Sequence, residues 1–126
     1  MTDKEVTIFI VDDDESILRS IRRLMQSAGY RNIETFASAE DFLRDAHIVP
    51  HCILILDLLL PGMGGIELFR RLRVTDRAID TVFISARERE LEKARTEFPK
   101  AIAFLQKPFD MENLLTAVHS ISGADT

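Results

Sequence analysis

This sequence has little cysteine, no excess of positive charge and no apolar run long enough to cross a membrane, and each shortage removes a class of protein. The single cysteine, Cys52, cannot form an internal disulfide, so a reducing compartment is expected. It opens an apolar stretch, where a small buried hydrophobe is a simpler role than a nucleophile. A net charge of -5 argues against a surface built for nucleic acid, although Arg70-Arg71-Leu72-Arg73 is locally basic. The opening Met-Thr-Asp-Lys-Glu has no apolar signal region, so a soluble, cytoplasmic protein with no membrane contact is expected. Repeats, low-complexity tracts and linkers are absent as well. A chain of 126 residues without a divider reads as a single domain, 1-126, large enough to bury a core.

What is present is an alternation of two hydrophobic periods. Val6-Thr7-Ile8-Phe9-Ile10-Val11 is β-branched and apolar, a buried strand, and it runs into Asp12-Asp13-Asp14-Glu15. Ile17, Leu18, Ile21, Leu24 and Met25 then fall at helical spacing, with Gly29 placed to stop the helix. A short strand over Ile33-Phe36 follows, and Ser38 with Asp41 resembles a capping box that opens a second helix through Phe42, Leu43 and Ala46. Cys52-Ile53-Leu54-Ile55-Leu56-Asp57 is a third strand, ending in a carboxylate ahead of Pro61, Gly62, Gly64 and Gly65. A helix bearing Ile66, Phe69 and Leu72 comes next, then a strand over Thr81-Ile84 ending at Ser85-Ala86. Leu91, Ala94 and Phe98 mark a weakly apolar helix, and Ile102-Leu105 a fifth strand ending at Lys107-Pro108. Met111, Leu114, Leu115 and Val118 give the last helix its buried stripe. The strands are apolar throughout, as a sheet covered on both faces requires. The fold class is therefore α/β and doubly wound, with a parallel sheet in the order 2-1-3-4-5 and a switch point between strands one and three.

In that order Asp12, Asp13 and Asp57 meet at one rim of the sheet, and strands four and five deliver Ser85 and Lys107 to it. Carboxylates so close repel, and a hard divalent cation such as Mg²⁺ is an economical neutraliser. Asp57 is then placed to attack phosphorus and form an aspartyl phosphate. Lys107 and the metal would offset phosphoryl charge, Ser85 would hydrogen-bond a phosphoryl oxygen, and Ala86 would leave room for it.

These residues resemble the receiver domain of two-component response regulators, and the resemblance covers nearly the whole chain. It is carried by Ile10-Val11-Asp12-Asp13-Asp14, Leu56-Asp57-Leu58-Leu59-Leu60-Pro61-Gly62-Met63-Gly64-Gly65, Ile84-Ser85-Ala86 and Gln106-Lys107-Pro108-Phe109. The resemblance implies a CheY-like, flavodoxin-like (βα)5 sandwich with Asp57 as phosphoacceptor. It implies Asp12, Asp13, Asp57 and the Leu59 backbone carbonyl as Mg²⁺ ligands, with Asp13 the more direct ligand of the acidic pair. Ser85 matches the switch hydroxyl, Lys107 the phosphoryl-contacting lysine and Phe104 the switch aromatic, and the Lys107-Pro108 peptide is expected to be cis. The partners implied are a sensor histidine kinase or a histidine phosphotransfer protein, with a homodimer on phosphorylation. The responding surface would be helix four, strand five and helix five. Ala28-Gly29-Tyr30 and the run Thr35 to Leu43 resemble receivers that precede helix-turn-helix transcriptional outputs, but no DNA-binding segment lies in these residues.

Some positions depart from the family pattern. Leu60 replaces a usual Met, a nearly volume-conserving change. Gly64-Gly65 puts two glycines where one is usual, which is expected to loosen the rim loop. Lys100 stands where a glycine commonly leads into strand five, so a differently built turn is expected there. Leu58 and Leu59, both apolar beside the acceptor, are expected to limit water and slow dephosphorylation. A phosphohydrolase would carry a second Asp at position 59, where this chain has Leu59, so slow self-dephosphorylation rather than enzymatic turnover is expected. A flavin carrier would need a hydroxyl- and glycine-rich loop where four acids follow strand one. Asp14 and Glu15 are read as acids favoured by a helix N-terminus, the arginine clusters as solvated helix faces, and His47, His51 and His119 are assigned no role.

Overall fold

Period-two alternation within the strands divides the core into two unlike halves. Ile8, Ile10, Ile53, Ile55, Val82 and Ile84 point to one side, while Phe9, Val11, Leu54, Leu56 and Phe83 point to the other. The computed structural model describes residues 5-75, 79-101 and 103-123. Its elements alternate: β1 Thr7–Val11, α1 Glu15–Ser27, β2 Asn32–Phe36, α2 Ala39–Asp45, β3 Cys52–Asp57, α3 Gly65–Val74, β4 Asp80–Ser85, α4 Glu88–Glu97, β5 Ala103–Gln106 and α5 Met111–Ser122. The strands form one parallel sheet in the order β2-β1-β3-β4-β5.

Helices α1 and α5 cover the aliphatic side with Leu18, Ile21, Met25, Leu114 and Val118. Helices α2, α3 and α4 cover the other, which holds every phenylalanine except Phe109. There Phe69 and Phe98 meet edge to face at 4.7 Å between centroids, and Phe42 meets Phe9 at 5.4 Å and Phe36 at 5.3 Å. Such pairs hold rings in fixed orientations as well as removing apolar area from water.

The helix ends follow from local chemistry. Asp14 caps α1, its carboxylate accepting the Ser16 and Ile17 backbone N–H groups, and Gly29 takes φ +99° just beyond the α1 C-cap. Ser38 caps α2 by accepting the Asp41 N–H at 3.0 Å. The arginine-bearing face of α3 is solvated and paired: Arg70 reaches Glu97 on α4, and Arg71 reaches Glu67 at 3.0 Å.

Three sequence expectations are corrected. β5 runs one residue past the expected end at Leu105, to Gln106; Ile102, the expected start, lies outside the described residues. β5 is an edge strand, half-buried over Ala103, Phe104 and Leu105, and its far end continues past the apolar run to exposed Gln106. Gly65 does not loosen the rim loop. It is buried at the start of α3, its N–H donates to the Leu58 carbonyl at 3.0 Å, and a Cβ there would stand 2.6 Å from the Asp57 carbonyl oxygen. It is a close-approach glycine. Leu58 does not flank the acceptor's open side: it is buried in the phenylalanine-rich core, and only half-buried Leu59 stays at the rim. At Lys100 the backbone keeps a negative φ and the turn is closed by the Ala101 N–H donating to the Phe98 carbonyl at 3.0 Å, so no glycine is needed.

Candidate functional site

Strand register brings the rim together. Val11 pairs with Leu56, Asp57 with Ile84 and Ser85 with Gln106. Backbone bonds continue beyond the strands, the Leu58 N–H donating to the Ile84 carbonyl at 2.9 Å and the Lys107 N–H to the Ser85 carbonyl at 2.7 Å. Asp12, Asp57, Ser85 and Lys107 thus stand at the carboxyl ends of β1, β3, β4 and β5, at the switch point where open α/β sheets bind ligands.

The side chains converge. Lys107 Nζ donates to Asp12 Oδ2 at 2.7 Å and to Asp57 Oδ2 at 3.1 Å. Asp12 Oδ1 accepts the Asp14 N–H at 2.9 Å, and Asp57 Oδ1 accepts the Leu59 N–H at 3.1 Å. Asp12 is 0% exposed and Asp57 3%, while Asp13 faces solvent. Ser85, also fully buried, accepts the Arg87 N–H on its Oγ at 3.1 Å.

This is an electrically strained arrangement. Burial, and then the neighbouring charge of Asp12, push the Asp57 carboxyl up to about 6, against the pull of the Leu59 N–H and of Lys107. For Lys107, burial pulls the ammonium's pKa down. The Asp12 hydrogen bond and the charges of Asp57 and Asp12 outweigh that, and the net shift is upward. Carboxylate oxygens of Asp12, Asp13 and Asp57 lie within 4.8 Å of one another. Three carboxylates against one ammonium leave a negative excess, and hard oxygen donors at this spacing suit a divalent cation such as Mg²⁺. The residues present therefore fit such an ion.

Phe104 on β5 is half-buried, stacked on Phe83 at 5.5 Å and covered by the Arg95 guanidinium at 5.2 Å from its centroid. The Lys107-Pro108 peptide is cis. A residue without any sequence signal also reaches the rim: Glu40 of α2 accepts the Met63 N–H on Oε2 at 2.9 Å. No helix among the described residues is long and apolar enough to cross a membrane.

The parallel sheet in this order, with acids gathered at its switch point, defines a flavodoxin-like α/β domain of the CheY and FixJ type. The family model described as "Response regulator receiver domain" matches residues 8–119. The response regulator protein TmoT of Ectopseudomonas mendocina is 36% identical over 95% of this chain and 54% of its own length. Among solved structures, the response regulator StyR is 39% identical with a TM-score of 0.85, covering 94% of this chain and 60% of that one. FixJ-N is 28% identical with a TM-score of 0.82, covering 97% of each chain. The chain belongs to the receiver domain family of two-component response regulators. It spans about half the length of the curated relatives it matches. Domains of this family typically bind Mg²⁺.

Proposed function

We propose that Asp57 is the phosphoacceptor of a two-component phosphorelay and that residues 1-126 are a single receiver domain. The observation that carries this reading is the buried Asp57 carboxylate, held by the Leu59 N–H on one oxygen and by Lys107 on the other beside a second buried acid. The donor would be a phosphohistidine on a sensor histidine kinase or a histidine phosphotransfer protein in the cytoplasm. An Asp57 oxygen attacks phosphorus as the phosphorus–nitrogen bond breaks, and the departing imidazole keeps the bonding pair and takes up a proton. Asp57 must be ionised for this step, and Lys107 stabilises that form by charge.

Asp12, Asp13, Asp57 and the Leu59 backbone carbonyl would hold Mg²⁺. The bound ion supplies charge that offsets the phosphoryl oxygens in transfer. Lys107 then contacts the phosphoryl group, and Ser85 exchanges its Arg87 N–H contact for a bond to a phosphoryl oxygen. That movement and the release of Phe104 from beneath Arg95 shift the population of the α4, β5 and α5 surface toward a form that engages a partner, a second copy or an output domain. With Leu59 where a hydrolase would place an acid, the domain holds its phosphoryl group and loses it slowly by itself; it is a switch and not a turnover enzyme.

Incubation with Mg²⁺ and a small acyl phosphate tests this, read by intact mass. One added phosphoryl group is expected on the wild type and none on Asp57→Asn. An adduct that persists in Asp57→Asn, or no adduct on either, refutes the assignment.

A further inference from the structure

Between β3 and α3 the rim loop runs from Leu58 to Gly64, and it contains the Leu59 carbonyl. Its ends are fixed by backbone bonds, Leu58 N–H to the Ile84 carbonyl and Gly65 N–H to the Leu58 carbonyl. Between those ends, two loop N–H groups bond to side chains among the described residues. Leu59 N–H bonds to Asp57 Oδ1 from the inside, and Met63 N–H bonds to Glu40 Oε2 from the α2 side. The first of these anchors uses the very carboxylate that would react. When Asp57 is engaged elsewhere, the Glu40 bond is the side-chain hydrogen bond that remains on a loop N–H among the described residues, beside the packing of Leu60 and Met63 on the core.

The contact is built from both sides. Gly62 adopts φ +75°, which turns the Met63 N–H toward α2, and a Cβ on Gly62 would stand 2.5 Å from Glu40 Oε2. The bare glycine thus lets the carboxylate lie flat against the loop. The Met63 N–H holds the Glu40 carboxyl below its usual range, consistent with a hydrogen bond to the ionised form. A first-turn acid in a helix can also be explained by the helix dipole alone. The dipole requires charge at position 40 but not an acceptor aimed at Met63, and that difference separates the two.

We propose that Glu40 is a positioning residue that clamps the rim loop through Met63 and so fixes the Leu59 carbonyl for the divalent cation. The role rests on the reading of Asp57 and its neighbours as a Mg²⁺-dependent phosphoacceptor site. Three variants test it: Glu40→Ala removes the acceptor, Glu40→Gln keeps an acceptor oxygen without the charge, and Ser38→Ala weakens the α2 cap without touching the loop. Initial phosphorylation rates with a small acyl phosphate are measured against Mg²⁺ concentration, and Met63 amide exchange is measured in metal-free protein. Loss of one exposed hydrogen bond predicts that Glu40→Ala raises the Mg²⁺ half-saturation about three- to fivefold, with the saturating rate retained. Met63 exchange should accelerate in the same variant without metal. Glu40→Gln should restore both readings, and Ser38→Ala should lower the melting temperature while leaving both near wild type.

An unmoved half-saturation in Glu40→Ala overturns the proposal, as does an equal shift in Ser38→Ala or in Glu40→Gln. Wild-type protein without Mg²⁺-dependent phosphorylation would overturn the functional reading and this role together. A normal wild type with an unresponsive Glu40→Ala overturns the clamp alone.

Discussion

Replacing Asp57 by asparagine should make the metal-free protein more stable, because the wild-type carboxylate sits where a charge is unwelcome. Its ordinary value is 3.8, and burial with the Asp12 charge moves it to about 6 in the folded state. The unfolded chain therefore ionises first. Between about pH 4 and pH 6 the folded state binds more protons than the unfolded one, so stability falls as pH rises through that window. Above about pH 7 both states are ionised and the loss is complete. The difference between 3.8 and about 6 corresponds to at most about 3 kcal/mol. Asparagine keeps an acceptor for the Leu59 N–H but loses the charge paired with Lys107, so a gain of about 1–3 kcal/mol is expected. The raised Lys107 pKa does not enter this window, since its contribution is complete below the ordinary lysine value of 10.5.

The assay is thermal unfolding by circular dichroism from pH 4 to pH 8 in a chelating buffer. A domain of this size unfolds with roughly 2 cal/mol/K of entropy per residue, so the gain amounts to about 4–12 °C at pH 7.5. It should shrink toward zero near pH 4. Mg²⁺ at ten times its dissociation constant should raise the wild type by about 1.4 kcal/mol and the variant by less, narrowing the gap. A gap independent of pH, or a variant that melts below the wild type without metal at pH 7.5, would refute the electrostatic reasoning.

Two further substitutions probe the rim. Gly65→Ala places a Cβ 2.6 Å from the Asp57 carbonyl and 2.8 Å from Leu58 Cα, so about 2–4 kcal/mol of stability and most phosphorylation should be lost. Gly64→Ala, whose Cβ clears the Leu58 carbonyl by 3.6 Å, should cost far less, and equal melting temperatures would contradict the packing argument. Lys107→Met leaves two buried acids without their shared ammonium. About 1–3 kcal/mol should be lost at pH 7.5 and partly regained at pH 5 or with Mg²⁺, as read by melting. A loss unchanged by both pH and metal would show that Lys107 acts only through packing.

The sequence disclosed those parts of the site that lie at the ends of apolar strands. Val11 into Asp12, Leu56 into Asp57 and Ile84 into Ser85 are abrupt changes from core to rim, and parallel pairing then dictates their neighbours. Where burial is partial the pattern fades, as at β5, which ends one residue beyond the apolar run at exposed Gln106. The paired glycines show a different limit. A glycine needed for freedom and one needed for closeness read alike, and only the approach of Asp57 and Leu58 to where a Gly65 Cβ would stand tells them apart. Glu40 had no signal at all, because its partner is a backbone N–H 23 positions away.

The same alternation explains why Leu58 and Leu59 cannot share a role. Successive strand-end residues face opposite sides, so Leu58 enters the core beneath α3 while Leu59 stays at the rim. Of the two, only Leu59 is then placed to shield an aspartyl phosphate from water. Leu59→Asp should shorten the life of the phosphorylated form several-fold; it empties no core position, since residue 59 lies outside both core clusters, and its stability cost is the charge it adds beside Asp12, Asp13 and Asp57, which Mg²⁺ should reduce. Leu58→Ala should instead cost about 2–5 kcal/mol of stability, read as a lower melting temperature, because it empties a buried position. The lifetime is followed by intact mass after removal of the phosphodonor. If Leu59→Asp leaves it unchanged, the apolar rim is not what protects the phosphoryl group, and the difference between this domain and a hydrolase must lie elsewhere.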